Sequence, residues 1–303
     1  MNLLKNTISL CPSCLVDIPA SIYDIEGAAI MQKVCPEHGY FESMVERDAE
    51  YYKLVQQHNA AMFYDGLIID VTYRCNIRCK WCFQHLEAYD VPVERIYALA
   101  SQMPPGHKII LSGGEPTLRD DLPAIICKLA DMGYAVNVIS NGYRIKWDLP
   151  CRWTLSHHPE SQNLFNQRVT EAREGKQQFS SIIYTDNTLD DYYQHVTEAL
   201  NLADICTVFR MHAAAPVGGN LGDNTNAIFV SDMWKMLKSK GHELSFAQPK
   251  TIFQPLTVDC VPFMLISWNT KYNVDICENF AEPWYHGKGN TVDNLVTRVI
   301  RDN

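Results

Sequence analysis

The sequence predicts an α/β fold: a partial (β/α)6 barrel, preceded by a small metal-binding module and followed by a short C-terminal β extension. Three observations lead there. Two cysteine-bearing knuckles lie in the first 48 residues, a stretch too short to own a hydrophobic core. From Gly66 short apolar runs alternate with amphipathic segments, the sequence form of repeated β-α units around a parallel sheet. After about residue 250 the pattern turns to short strands around Asn269-Thr270-Lys271, a hairpin closing one side of the barrel.

Residues 1–48 open with Cys11-Pro12-Ser13-Cys14 and close with Cys35-Pro36-Glu37-His38-Gly39, with short strands such as Ala20-Ser21-Ile22-Tyr23 between them. Cys11, Cys14, Cys35 and His38 have the spacing of a structural zinc ribbon, in which the metal replaces the missing core. A mononuclear iron of rubredoxin type, or a ligand set without His38, fits similar spacing. Residues 49–65 read as a linking helix whose apolar positions include Tyr51, Tyr52, Leu54, Val55 and Met62.

The barrel is expected over residues 66–250, with strands at 67–71, 108–111, 135–140, 153–155, 181–184 and 207–211. Helices are expected at 121–132, 161–172, 189–203 and 231–240, the last capped by Ser231 or Asp232. Six units make a partial TIM-like barrel rather than the complete eight-fold one, and such barrels carry their sites at the carboxyl ends of the strands. Residues 251–303 form the extension.

At 303 residues, with 47% hydrophobic and 20% charged, the chain is an ordinary globular protein and not a disordered one. It has no run of eighteen uncharged apolar residues, and its N-terminus does not read as a signal peptide, so a cytoplasmic protein with no membrane partner is expected. Six of the eleven cysteines are grouped in close clusters, which favours metal ligation over a disulfide scaffold. A net charge of -9 disfavours nucleic acid as a partner without excluding it.

The chemistry centres on Cys75, Cys79 and Cys82, directly after the first barrel strand. Their C-x3-C-x2-C spacing offers three thiolates to a cubane of four irons, which leaves one iron open to a small molecule. Ser112-Gly113-Gly114-Glu115-Pro116 ends the second strand, where glycines would let a ligand's polar group approach main-chain carbonyls closely. Ser140-Asn141-Gly142 ends the third strand and offers a hydroxyl and an amide.

Together with Trp81, these cysteines resemble the signature of the radical S-adenosylmethionine (radical SAM) superfamily, and the glycine segment falls where the second motif of that family sits. The resemblance covers about residues 66–220 and implies one 4Fe-4S cluster, S-adenosylmethionine as cofactor, and reductive cleavage to a 5'-deoxyadenosyl radical that takes hydrogen from an organic substrate. Rearrangement, coupling or oxidation then follows. It implies cofactor contacts at Gly113, Gly114, Glu115, Ser140, Asn141, Ser156 and Arg210, and a reductant such as flavodoxin or ferredoxin. The catalytic residues are not named by it; His157 and His158, at the fourth strand end, are the substrate-facing candidates, and residues 213–220 a candidate lid.

The N-terminal knuckles are similar to a module found in the branch that methylates pterins or joins lipid chains. Those relatives carry further cysteine clusters, whereas only Cys260 and Cys277 follow this barrel, too few for an auxiliary cluster. Methyl transfer and modification of a nucleotide or nucleic-acid base are the alternatives within enzymes. A structural zinc-binding scaffold is the alternative outside them.

Overall fold

The computed structural model describes residues 1–11, 13–14, 16–58, 66–80, 82, 84, 86–185, 188–202, 204–213, 229–241, 244–246, 262–268, 274–280 and 298–299. Trp81, most of the candidate lid, Cys260 and the side chains of Val55, Met62, Arg210 and Cys277 lie outside the described residues.

The N-terminal module is a four-stranded antiparallel sheet of β1 (Asn2–Leu10), β2 (Asp17–Ile25), β3 (Ala28–Cys35) and β4 (Gly39–Glu46), paired in sequence order. Only one face is covered. β2 alternates buried and exposed positions, as a half-covered sheet requires, and Ala20, Ile22, Ala29 and Met31 pack beneath Tyr52. Tyr52 belongs to α1 (Ala49–His58), the linking helix.

The remaining strands form a second sheet. Six parallel strands stand side by side in sequence order: β5 (Gly66–Thr72), β6 (Lys108–Gly113), β7 (Ala135–Ser140), β8 (Arg152–Ser156), β9 (Phe179–Thr185) and β10 (Cys206–Ala213). β6 is buried at Ile109, Ile110, Leu111 and Ser112 in succession, the continuous run expected of a strand covered on both faces.

Between these strands run α2 (Val93–Ala100), α3 (Leu122–Asp131), α4 (Gln162–Gly175) and α5 (Leu189–Asn201), and α6 (Val230–Ser239) follows β10. α3 buries Leu122, Ile125, Ile126 and Leu129, spaced three, four and seven apart, so one stripe of the helix faces the sheet. Each such side chain contributes roughly 1.5–3 kcal/mol by leaving water. On the far side, β12 (Pro262–Trp268) pairs antiparallel with β10 and with β13 (Val274–Phe280), giving the predicted hairpin; β11 (Leu244–Phe246) flanks β13. β14 (Arg298–Val299) lies parallel to β5 at the opposite edge.

Two expectations need correction. Ser231 does not cap α6, and Asp232 caps it only from within its first turn. The helix starts at Val230 after Phe229; Asp232 accepts the Phe229 N–H at 3.1 Å, and Ser231 sits inside the first turn. Ser231 is held there by Glu46 at the end of β4, to which its hydroxyl donates at 2.6 Å and its N–H at 3.3 Å. That contact ties the N-terminal module to the barrel, aided by Arg47 on Asp232 at 2.9 Å and by the tilted rings of Tyr51 and Trp234, 5.7 Å apart. The second correction is α2, which the sequence reading passed over although Pro92 stands just ahead of it, a position that suits proline.

Candidate active site and metal centre

The four ribbon residues converge on one point. Cys11 Sγ is 3.6 Å from His38 Nδ1, Cys35 Sγ is 3.5 Å from the same nitrogen, and Cys14 Sγ is 3.9 Å from Cys35 Sγ. A tetrahedral zinc with its usual Zn–S and Zn–N lengths has ligand edges of about 3.8 Å between sulfurs and about 3.5 Å between sulfur and nitrogen. The set fits that ion, His38 included. Burial opposes ionisation of Cys11, yet hydrogen bonds from the Cys14 and Ser13 backbone, then from the Cys14 and Cys35 thiols, outweigh it and bring the thiol down to about 6.

The second centre begins where β5 ends. Thr72 bridges to Asp90, and Val91 and Tyr73 donate backbone N–H groups to Val71 and Tyr89 at 3.0 and 2.8 Å, so residues 87–91 return alongside the strand and close the base of the cysteine loop. Arg119 secures that base. Nearly fully buried, it donates to the carbonyls of Val71 and Val91, each at 2.7 Å, and is itself gripped by both oxygens of Asp121 at 2.8 and 2.7 Å. Arg74, inside the loop, forms a second fork with Asp90 at 2.9 and 2.7 Å. Burial opposes the charge on Asp90, but Arg74 and Thr72 together hold its carboxyl below the usual range.

Beyond its base the loop is pinned by the ends of four strands. From β5, buried Asp70 accepts the Gln84 amide at 3.1 Å. Past β6, Gly114 and Glu115 donate N–H groups to the carbonyls of Thr72 and Arg74 at 2.8 and 2.7 Å. Past β7, Asn141 donates its amide to Asn76 at 2.9 Å, and past β8, Glu160 accepts the Lys80 N–H at 2.8 Å.

The two glycines also have a purpose within the chain. Gly113 has φ +123, and a Cβ there would stand 2.1 Å from the Thr72 carbonyl oxygen; a Cβ on Gly114 would stand 2.2 Å from that of Arg74. What approaches so closely is the chain's own cysteine loop. Glu115, expected to meet a cofactor, is turned into the protein. It is fully buried behind the wall and accepts from the Thr117 N–H and hydroxyl and the Ser140 hydroxyl on one oxygen, and from the Asn141 N–H on the other. Burial raises its carboxyl above the usual range in spite of these donors. The Ser140 hydroxyl and Asn141 amide, expected to meet a cofactor, are engaged with Glu115, Gly142, Asn76 and Tyr143.

A cavity of about 440 Å³ lies at these strand ends. Cys75, Cys79, Cys82, Gly113, Gly114, Ser140, Asn141, Ser156 and His158 all border it, as does Ile182 of β9. Arg210 occupies β10 beside Ile182 in the register. His157 does not border the cavity: its ring is buried, stacked on Phe165 at 4.0 Å and 5°, with Nε2 2.9 Å from Gln162 Oε1. Burial brings both histidines down to about 4, so each imidazole is neutral near pH 7. The α5 residues Asp191, Gln194 and His195 complete the wall. Sequence reading missed them, because three polar residues in a helix whose Tyr192, Val196 and Ala199 are buried look like its solvated side.

The three cysteines suit an iron–sulfur cluster. Burial pushes the Cys79 thiol up to about 12, with Glu160 and the other two thiols adding to it, and burial raises Cys75 as well. Three partly buried thiols border one cavity, and two of them, Cys75 and Cys79, resist ionisation without a cation, which fits a group whose irons supply that positive charge.

Residues 69–152 match the family description "Radical SAM superfamily", and residues 3–47 match "HMPTM N-terminal zinc ribbon domain". The chain carries a radical SAM domain behind a zinc ribbon. A 7,8-dihydro-6-hydroxymethylpterin dimethyltransferase of Methanocaldococcus jannaschii is 36% identical over 176 residues, 47% of this chain and 35% of the relative. A PqqA peptide cyclase of Methylobacterium nodulans is 38% identical over 84 residues, 25% of this chain and 22% of the cyclase. The radical SAM chain thus spans about a third or less of the length of these curated relatives. Among solved structures, Streptococcus suis SuiB bound to precursor peptide SuiA aligns at 16% identity and a TM-score of 0.45, covering 64% of this chain and 49% of that one. Among the described residues no helix is long and apolar enough to cross a membrane.

Proposed function

We propose that this chain is a radical SAM enzyme that cleaves S-adenosylmethionine reductively at a single 4Fe-4S cluster held by Cys75, Cys79 and Cys82. The observation that carries this reading is the cysteine loop itself, whose three thiols border one cavity while the ends of β5, β6, β7 and β8 pin its backbone. The chemistry such a group supplies when bound is one-electron cleavage of a sulfonium, giving methionine and a 5'-deoxyadenosyl radical.

The chain's own part is orientation and the exclusion of water. Gly113 and Gly114 keep the wall flush with the loop, and Ser156 and the backbone at Ser140 and Asn141 offer polar edges for the cofactor. His158, neutral and at the cavity, is the candidate to meet substrate, while His157 is stacked on Phe165 away from the cavity. The N-terminal metal is zinc on Cys11, Cys14, Cys35 and His38, and a flavodoxin- or ferredoxin-like reductant delivers the electron.

Anaerobic reconstitution followed by absorption and electron spin resonance tests this. A reducible 4Fe-4S signal, with 5'-deoxyadenosine formed from S-adenosylmethionine and both lost in Cys75→Ala, is the expected result. A colourless zinc protein would instead support a scaffold.

The ribbon match and the pterin methyltransferase relative favour a second, finer reading: methyl transfer to a small heterocycle of the pterin type. S-adenosylhomocysteine and a methylated pterin appearing beside 5'-deoxyadenosine would support it. Their absence with a reduced pterin supplied would leave hydrogen abstraction alone.

A further inference from the structure

We propose that His157, His195 and Glu198 form a second divalent-cation site, at the edge of the cavity that holds the cysteine loop. Among the described residues, only this group and the ribbon set bring three or more ligand-type side chains within 4.8 Å of one another.

Glu198 Oε2 lies 3.1 Å from His195 Nδ1 and 3.7 Å from His157 Nε2. A tetrahedral zinc with ordinary lengths to nitrogen and oxygen has ligand edges of about 3.4 Å, which these two distances bracket. Two imidazoles and one carboxylate are also the ligand set of zinc sites that keep a fourth position open for a reacting molecule.

The donors come from separate elements and are held in advance. His157 follows β8, with its ring fixed against Phe165. His195 and Glu198 lie three residues apart on α5, a spacing that puts both on one side of a helix. For His157 to bind the ion through Nε2 as a neutral imidazole, its proton moves to Nδ1 and the Nε2–H bond to Gln162 Oε1 is given up.

Of the three ligands only His195 borders the cavity, so the proposed ion reaches a bound molecule from the His195 side. A cation there takes a hard donor on the substrate, a carboxylate or a ring carbonyl oxygen, and fixes it on the α5 wall of the cavity that Cys75, Cys79 and Cys82 also border. The existence of the site does not depend on the radical reading; only its role as substrate anchor does.

The experiment is zinc titration of the full chain after anaerobic reconstitution and chelator treatment, with zinc and iron measured by mass spectrometry. Wild type should take two zinc equivalents. Glu198→Gln, which keeps the side-chain volume, and His195→Ala should each take one, with iron content and cluster absorption unchanged. Cys11→Ala should also lose one equivalent, from the ribbon. Co2+ in place of zinc should give, in Cys11→Ala, a weak visible band without thiolate charge transfer, absent when Glu198→Gln is added. One zinc equivalent in wild type, or two retained in both α5 variants, overturns the proposal. Loss of iron from the wild-type sample would instead count against the cluster assignment, which separates the two failures.

Discussion

The backbone N–H of Lys80 donates to Glu160 Oε1 at 2.8 Å, which sets a carboxylate against the peptide that follows Cys79. That charge is already felt by the loop, since after burial it is the next cause of the raised Cys79 thiol. Reducing a cluster adds negative charge, so a fixed carboxylate beside it makes reduction harder. Glu160→Gln should therefore shift the midpoint potential to more positive values while leaving the iron content intact. Potentiometry followed by electron spin resonance measures this, and an unmoved midpoint would restrict Glu160 to holding the loop.

Gly114→Ala should expel the cluster while sparing the sheet. The new methyl group would meet the Arg74 carbonyl at 2.2 Å, and backbone on that side has nowhere to withdraw, so a cost of roughly 3 kcal/mol or more is expected. Gly106→Ala is the control. Its φ is +90, so alanine there is strained, but its Cβ would meet nothing within 4 Å, so it should cost only about 1 kcal/mol and keep full iron loading.

Glu46 links the ribbon to α6, and burial raises its carboxyl from 4.5 to about 6 despite the donors on Ser231 and Arg47. A carboxyl whose folded pKa lies above its unfolded one costs nothing below the unfolded value, and its full penalty is present above the folded one. Stability should thus fall as pH rises from 4.5 to about 6, by about 2 kcal/mol, and Glu46→Gln should flatten that window. Urea denaturation across the interval, at constant slope, reads the difference.

Cys11→Ala should release zinc and loosen the N-terminal sheet, whose small core of Ala20, Ile22, Ala29 and Met31 leans on the metal and on Tyr52. The cysteine loop takes its supports from the barrel, so cluster absorption should survive. Equal loss of zinc and iron in this variant would show that the two centres are coupled.

The parallel strands were readable because a doubly covered strand writes itself as an unbroken apolar run, as Ile109-Ile110-Leu111 does, and α3 because its buried residues keep helical spacing. The cysteines were readable because metal ligation leaves a spacing in the sequence. The supports around them were not. Arg119 and Val71, Asn76 and Asn141, and Lys80 and Glu160 meet through the fold across 48, 65 and 80 positions, and no local pattern marks a polar side chain for such a partner. The four hydrogen bonds that Glu115 accepts from Thr117, Ser140 and Asn141 were hidden for a related reason. His195 and Glu198 left no trace either, because their meeting with His157 depends on how α5 lies against the end of β8.

The pins on the cysteine loop come one from each of four neighbouring strands, so the nest for iron does not exist in any fragment of the chain. It is assembled only when those strands stand in their final order. On the proposed cluster assignment, iron is loaded only after those strands have docked, and a chain caught half-folded offers its thiols singly rather than as a set.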